Sequence, residues 1–194
     1  KHDFIVNSEL IYQAGPSMYN YWFKSKENAI KVIQKDFKSG NGLLGYKNAY
    51  NLIANGKVIG IVLCYKQNTF NRKAFYTALS VIGSLGIFNL PWLIKRSYLL
   101  MTRGGFSKHD PKSIYVAVVS ILSEYQGKGF GKMLLKHVLV EELKEYEIFY
   151  LDVAKDNTPA QKLYSSLGFE IFEESKEDYL SNFIKPSYLM RKAN

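Results

Sequence analysis

The chain has 194 residues and a formal net charge of +9, from 26 Lys and Arg against 17 Asp and Glu. Hydrophobic residues make up 47% and aromatic residues 15%, which excludes a disordered chain and suffices for one packed domain. A single cysteine, Cys64, and three scattered histidines, His2, His109 and His137, exclude a disulfide framework and leave no metal-ligand spacing.

The excess charge is uneven. Residues 1–65 carry +4, residues 66–112 carry +7 with Asp110 as their only acid, and residues 113–194 carry −2. A uniformly basic chain would point to nucleic acid, but here the basic residues of the middle segment are few and not interleaved with aromatics on one stretch, so no nucleic-acid partner is expected. The opening Lys1-His2-Asp3 has no signal-peptide organisation, which points to a cytoplasmic protein, and no initiator Met, which points to a trimmed or partial chain.

In chain order, Pro16 opens a short helix carrying Met18, Tyr19, Trp22 and Phe23. From Ser25 and Lys26 to Phe37, Ala29, Ile30, Ile33 and Phe37 recur at helical spacing, and Ser39-Gly40-Asn41-Gly42 stops the helix. Tyr46 to Ala54, Asn55-Gly56, then Lys57 to Tyr65 reads as a hairpin whose Asn-Gly turn takes positive φ at both central residues. The run Val58, Ile59, Ile61, Val62 and Leu63 suits a strand covered on both faces. Ala74 to Ile94 is uncharged and, at about 21 residues, reaches membrane-spanning length. Gly83, Gly86, Asn89 and Pro91 dilute it, so one or two helices broken at Asn89-Leu90-Pro91 are expected, packed on the core or forming an apolar lid or contact surface. Ser113 to Ile121 reads as a strand, Lys132 to Tyr146 as a helix and Ile148 to Ala154 as a strand. At Thr158-Pro159-Ala160-Gln161, Thr158 is placed to cap a helix, Pro159 to open it and Gln161 to complete a capping box. Gly168 ends that helix, and Phe169 to Glu173 and Ser187 to Arg191 read as closing strands.

The strongest chemical signal is Gln126-Gly127-Lys128-Gly129-Phe130-Gly131, between a strand and an amphipathic helix. Alternating glycines let the backbone approach a ligand and turn several N–H groups one way, and the helix adds its positive end, an arrangement suited to pyrophosphate. Neither the dinucleotide fingerprint nor the nucleoside-triphosphate loop matches. From Glu124 to Gly131 the run resembles the acyl-coenzyme A loop of the GNAT N-acetyltransferases, Arg/Gln-x-x-Gly-x-Gly/Ala. About 26 residues on, Asn157 to Phe169 resembles the same family's Asn-x-x-Ala-x-x-Leu-Tyr-x-x-x-Gly-Phe. The resemblance is tight from Ser113 to Phe172.

The resemblance implies an α/β (α+β) fold: a central mixed, mostly antiparallel twisted sheet, splayed at the cofactor site and flanked by helices on both faces. It implies one domain over 1–194, with 66–112 as a family-atypical basic and apolar insert between the third and fourth core strands. It implies acetyl-CoA as donor substrate and no metal. The pantetheine arm would pair with main-chain groups near Val119, Ser120 and Ile121. The pyrophosphate would sit on amides of Gln126, Gly127, Lys128, Gly129, Phe130, Gly131 and Lys132, and Asn157 would face the cofactor across the split. Tyr164 would be the general acid near the sulfur, protonated at neutral pH because a phenol ordinarily titrates near ~10. Asp152 is the foremost general base, with His109 and Asp110 as runners-up, and a backbone N–H of the Val119–Ile121 strand would steady the oxyanion. The implied function is acetyl transfer to a primary amine of a small-molecule or peptide acceptor, by direct attack on the thioester. A coenzyme-A-binding sensor or structural module without turnover is the rival. The 66–112 insert is expected to cover the site mouth and select an anionic or lipid-like acceptor, or to contact a membrane face or second subunit. Tyr19, Tyr21 and Trp22 are read either as an aromatic wall for the acceptor or as core, Cys64 as core, and His137 and the Glu141–Glu147 cluster as solvated surface.

Overall fold

The computed structural model describes residues 3–102 and 110–193. The chain opens with a helix the sequence pattern did not announce, α1 (Phe4–Ala14), capped by the Asp3 carboxylate on the amides of Ile5 and Val6. Helix α2 (Pro16–Phe23) has its proline in the first turn. Helix α3 (Lys26–Ser39) is capped by Ser25 and closed by Gly40, whose φ of 72° only glycine adopts freely. Strands β1 (Ala49–Ala54) and β2 (Lys57–Lys66) form the expected hairpin, with φ of 50° at Asn55 and 75° at Gly56, as a type I′ turn requires.

The uncharged run folds into two helices, α4 (Phe70–Leu85) and α5 (Leu90–Thr102). The chain turns at Gly86, φ 83°, rather than at Pro91, which lies in the first turn of α5, where a proline lacks nothing the helix needs. No helix among the described residues is long and apolar enough to cross a membrane. Strand β3 (Ile114–Ile121) leads through the glycine loop into α6 (Phe130–His137), which widens into one π-helical turn at Val138–Glu142 and stops at Leu143, short of the expected Tyr146. Strand β4 (Ile148–Ala154), α7 (Thr158–Ser165), β5 (Glu170–Glu174) and β6 (Ser187–Ala193) complete the order.

The six strands form one sheet in the order β1-β2-β3-β4-β6-β5, antiparallel throughout except between β3 and β4. Helices cover both faces. On one, α6 and α7 bury Leu134, Leu135 and Tyr164 against Val116, Phe149 and Leu151. On the other, α1, α3 and α4 bury Leu10, Ile33, Phe37 and Val81 against Ile61, Leu63 and Val118. The insert therefore joins β2 to β3, the second and third strands of the described sheet, because no described strand precedes Ala49. Its first helix is fixed to α3 through Asp36, fully buried, whose carboxylate accepts from Leu44 N (3.1 Å), Thr77 Oγ (2.9 Å) and Ser80 Oγ (2.9 Å). Burial pushes this carboxyl above its ordinary value, and those three donors pull against the rise.

Candidate active site

The sheet comes apart where the chemistry is expected. Only Ile114 and Tyr115 of β3 pair with β4, opposite Phe149 and Tyr150. Along its other edge β3 stays paired with β2 as far as Ile121. Leu122 N donates to Ile59 O, and since residues alternate along a strand, Ser120 also turns its main chain to β2, where it lies opposite Ile61. Val119 and Ile121 therefore turn N–H and C=O toward the split, where the Ile121 carbonyl already accepts from Gln126 Nε2, while Ser120 turns its main chain to β2. A bulge at Ala117, where Leu63 lies opposite Val118 and Cys64 opposite Val116, sets that parity just ahead of the opening. Exposed main-chain groups along a splayed edge need a partner, and an extended amide-bearing arm fits them.

At the end of β3, Gln126 Nε2 donates to Ile121 O (2.8 Å) and Gln126 N to Ser123 O (3.2 Å). The Gln126 amide is thus already engaged, and the free set starts one residue later than expected. The amides of Gly127 through Lys132 donate to no backbone carbonyl among the described residues. Gly127 (φ 73°) and Gly129 (φ 82°) take the left-handed conformation that aligns those amides, and a Cβ at either would meet nothing within 4 Å. Gly129 stands at the N-terminal end of α6 with no side-chain cap, so the positive end of the helix is open. Lys128 reaches back to Glu124 O (2.9 Å) and Lys132 is exposed. An open anion nest beside an unpaired strand edge fits a phosphate-bearing thioester with an amide arm.

Asp152 lies on β4 two residues past the last paired position. Phe149, Leu151 and Val153 face the α6–α7 side, so alternation turns Asp152 to the opposite side. There it lines a cavity of about 600 Å³ bounded by the turn from α1 to α2 (Ala14–Met18), by Asn157 and by Ser187. Its carboxylate accepts the Tyr115 hydroxyl (2.5 Å) and a hydrogen bond from Ser187. Burial raises its pKa to about 6 despite these two bonds, with a smaller upward push from Glu173. It is a carboxylate that is ionised at neutral pH yet basic enough to take a proton.

Tyr164 sits beneath the other face, 8% exposed, with its ring edge-on to Phe169. Its hydroxyl makes no hydrogen bond among the described residues and is not sealed from solvent. Burial pushes it up to about 12, so it is a proton donor at neutral pH.

Asn157, expected across the split, lines the large cavity, but its Oδ1 accepts from Ala160 N (3.2 Å) and caps α7. The cap is therefore Asn157 rather than Thr158, and Gln161, instead of closing a capping box, donates to Ala154 O and Lys155 O. Asp110 caps a turn by accepting from Lys112 N (2.8 Å), at the paired end of β3, away from the opening. His109 lies outside the described residues. Cys64 is buried and its thiol raised by burial, as suits a core residue. His137 and Glu142 are both half-exposed and 3.6 Å apart on the surface. Sequence reasoning missed Tyr115 and Ser187 as partners of Asp152, since only the register of β4 against β3 and β6 brings them together.

Residues 15–169 match the family model described as Acetyltransferase (GNAT) family. N-alpha-acetyltransferase 40 of Saccharomyces cerevisiae is 30% identical over 130 residues, 61% of this chain, and the chain spans 40% of that protein's length. Among solved structures, an N-acetyltransferase from Staphylococcus aureus Mu50 superposes with a TM-score of 0.70 at 18% identity, covering 97% of this chain and 94% of that one. A GNAT family acetyltransferase from Elizabethkingia anophelis, with acetyl-CoA bound, gives 0.53 at 14% identity over 96% and 89%. At these identities the structural likeness speaks for the fold.

Proposed function

Since the chain belongs to the GNAT acetyltransferase family, whose members use acetyl-CoA, we propose that it transfers an acetyl group to a primary amine by direct attack at the split between β3 and β4. When bound, acetyl-CoA supplies an activated carbonyl and a thiol leaving group. The open amides of Gly127 through Lys132 hold its phosphates, and the split-facing groups of Val119 and Ile121 hold its arm. The Val119 amide, already fixed in the strand, steadies negative charge on the carbonyl oxygen without reorganising. Asp152 takes the proton from the acceptor's ammonium, directly or through a water in the large cavity, and Tyr115 keeps its carboxylate aimed there. Tyr164 gives its proton to the departing sulfur, and the second proton, shed by the nitrogen as the amide forms, passes to solvent, from which Tyr164 is reprotonated. The two groups approach the opening from opposite sides of the sheet, so one can take a proton while the other gives one. The observation that carries this reading is the splay itself, with a carboxylate on one side and an unpartnered phenol on the other.

The acceptor is a small-molecule or peptide amine, and the yeast relative's name favours an α-amino group for it. The outer face of α4 and α5 is proposed to rest on an anionic lipid surface. It exposes Phe75, Leu79, Ile94 and Tyr98, with Phe88 in the turn that joins the two helices, beside Arg72 and Lys95, and there is no acidic residue from Lys66 to Thr102.

Mixing the protein with acetyl-CoA and a panel of primary amines, and following free thiol, tests the proposal. Amine-dependent thiol release is expected, together with a loss of about 10²-fold in Tyr164→Phe at little change in coenzyme A affinity. Coenzyme A binding without thiol release from any amine would favour the sensor module, and an unchanged Tyr164→Phe rate would remove the acid role.

A further inference from the structure

The insert helices do more than cover the sheet: with α2 they enclose a second cavity, of about 260 Å³. Its wall is apolar, formed by Phe23, Leu44, Phe70, Ala78, Leu93 and Ala117. Whole-ligand sites run from about 300 Å³ upward, so this space suits one group of a larger molecule. Tyr115 joins it to the active site. The Tyr115 ring lines the apolar cavity while its hydroxyl bonds Asp152, and Met18 lines both cavities. Tyr115 thus stands between the two spaces, and a molecule whose amine meets Asp152 would reach the apolar cavity by passing between Tyr115 and Met18.

Three polar atoms in this wall have no protein partner. The hydroxyls of Tyr19 and Tyr65, each residue 8% exposed, make no hydrogen bond among the described residues, and Trp22 Nε1 is sealed from solvent and equally unpartnered. Burial raises both phenols, so all three groups are donors at neutral pH. For the sealed Trp22 N–H, the lack of an acceptor costs about 1–3 kcal/mol. Donors set in an otherwise apolar wall are satisfied by a ligand with a flat apolar body that carries an acceptor atom or a π face. The Tyr65 and Tyr115 rings, with centroids 5.5 Å apart, give such a body an aromatic surface to lie on.

We propose that this cavity receives the side group of the acceptor and selects a primary amine bearing one compact aromatic ring, with a ring oxygen or nitrogen favoured. This rests on the acetyl-transfer reading above for the amine, but the pocket itself can be tested without turnover.

Two measurements separate the two claims. The first compares kcat/KM for 2-phenylethylamine, tyramine and ethylamine. The aromatic amines are expected to lead ethylamine by about tenfold or more, and Ala78→Trp, which fills the cavity, to collapse that ratio. The second is ligand-observed NMR with 2-phenylethanol, which has the ring but no amine. It should bind the wild type and fail to bind Ala78→Trp, or Ala74→Leu should the tryptophan variant not fold. Equal kcat/KM for ring-bearing and ring-free amines, or 2-phenylethanol signals indifferent to the filled cavity, would overturn the proposal. Cavity-dependent binding of 2-phenylethanol with no thiol release from any amine would uphold the pocket and sink the transfer reading instead.

Discussion

Asp152 and Tyr115 stand on the only parallel pair among the described strands, at the point where that pair parts. Burial lifts the carboxyl to about 6, which leaves it ionised at pH 7 and able to act as a base. We expect kcat/KM to fall with unit slope below pH 6, and Asp152→Asn to lose that limb together with most of the rate. The Tyr115 and Ser187 hydrogen bonds favour the charged form, so Tyr115→Phe should raise the carboxyl and move the acidic limb to higher pH. A limb that stays in place would deny Tyr115 its positioning role. Folding stability runs the other way. Between the unfolded value near ~3.9 and about 6 the folded chain holds a proton that the unfolded chain lacks, so this group's contribution to stability grows as pH falls through 6. Asp152 and Tyr164 were legible as candidates through their place in a recognisable pattern. The company of Asp152 was not, because Tyr115 is 37 residues away and only strand register makes the contact.

At the scale of elements, local chemistry carried furthest where a turn or cap needs a particular residue. The Asn55-Gly56 hairpin, Ser25 ahead of α3 and the glycine loop ahead of α6 lie where the sequence places them, because each depends on one backbone conformation or one side-chain bond. The sequence pattern places Thr158 to cap α7, but Asn157, one residue earlier, holds that cap by accepting from Ala160 N. The long uncharged run was ambiguous for another reason: periodicity cannot tell a helix packed on a sheet from one packed on lipid. What settles its placement is tertiary, the bonds from Thr77 and Ser80 to Asp36 on α3. Removing that carboxylate leaves Leu44 N without this acceptor, sends the Thr77 and Ser80 hydroxyls back to Lys73 O and Tyr76 O of their own helix, and unfastens α4 from α3. Asp36→Ala should therefore lower the unfolding free energy by about 2–4 kcal/mol, read from the midpoint of urea denaturation. An unshifted midpoint would mean that apolar packing alone holds the insert.

Across the whole molecule, the charge of +9 resolves into +4 over residues 1–65, −2 over the half that carries the glycine loop and Asp152, and +7 over residues 66–112, whose helices α4 and α5 pack on α3 and α2. The inner face of that pair helps build the apolar cavity, and the turn between the two helices leaves Phe88 94% exposed. The chain should sediment with phosphatidylcholine vesicles that contain phosphatidylserine and not with phosphatidylcholine alone. Replacing Arg72 and Lys95 with Glu and Phe88 with Ser should abolish the difference, and sedimentation that persists would separate the charge from any membrane role. Acetyl transfer by direct attack remains the central claim, and its most direct test is a grid of initial rates over acetyl-CoA and amine concentrations. With both substrates meeting at the β3–β4 split and Cys64 buried away as a raised thiol, double-reciprocal lines should intersect, as a ternary complex requires. Parallel lines, the mark of an acetylated enzyme intermediate, would contradict it.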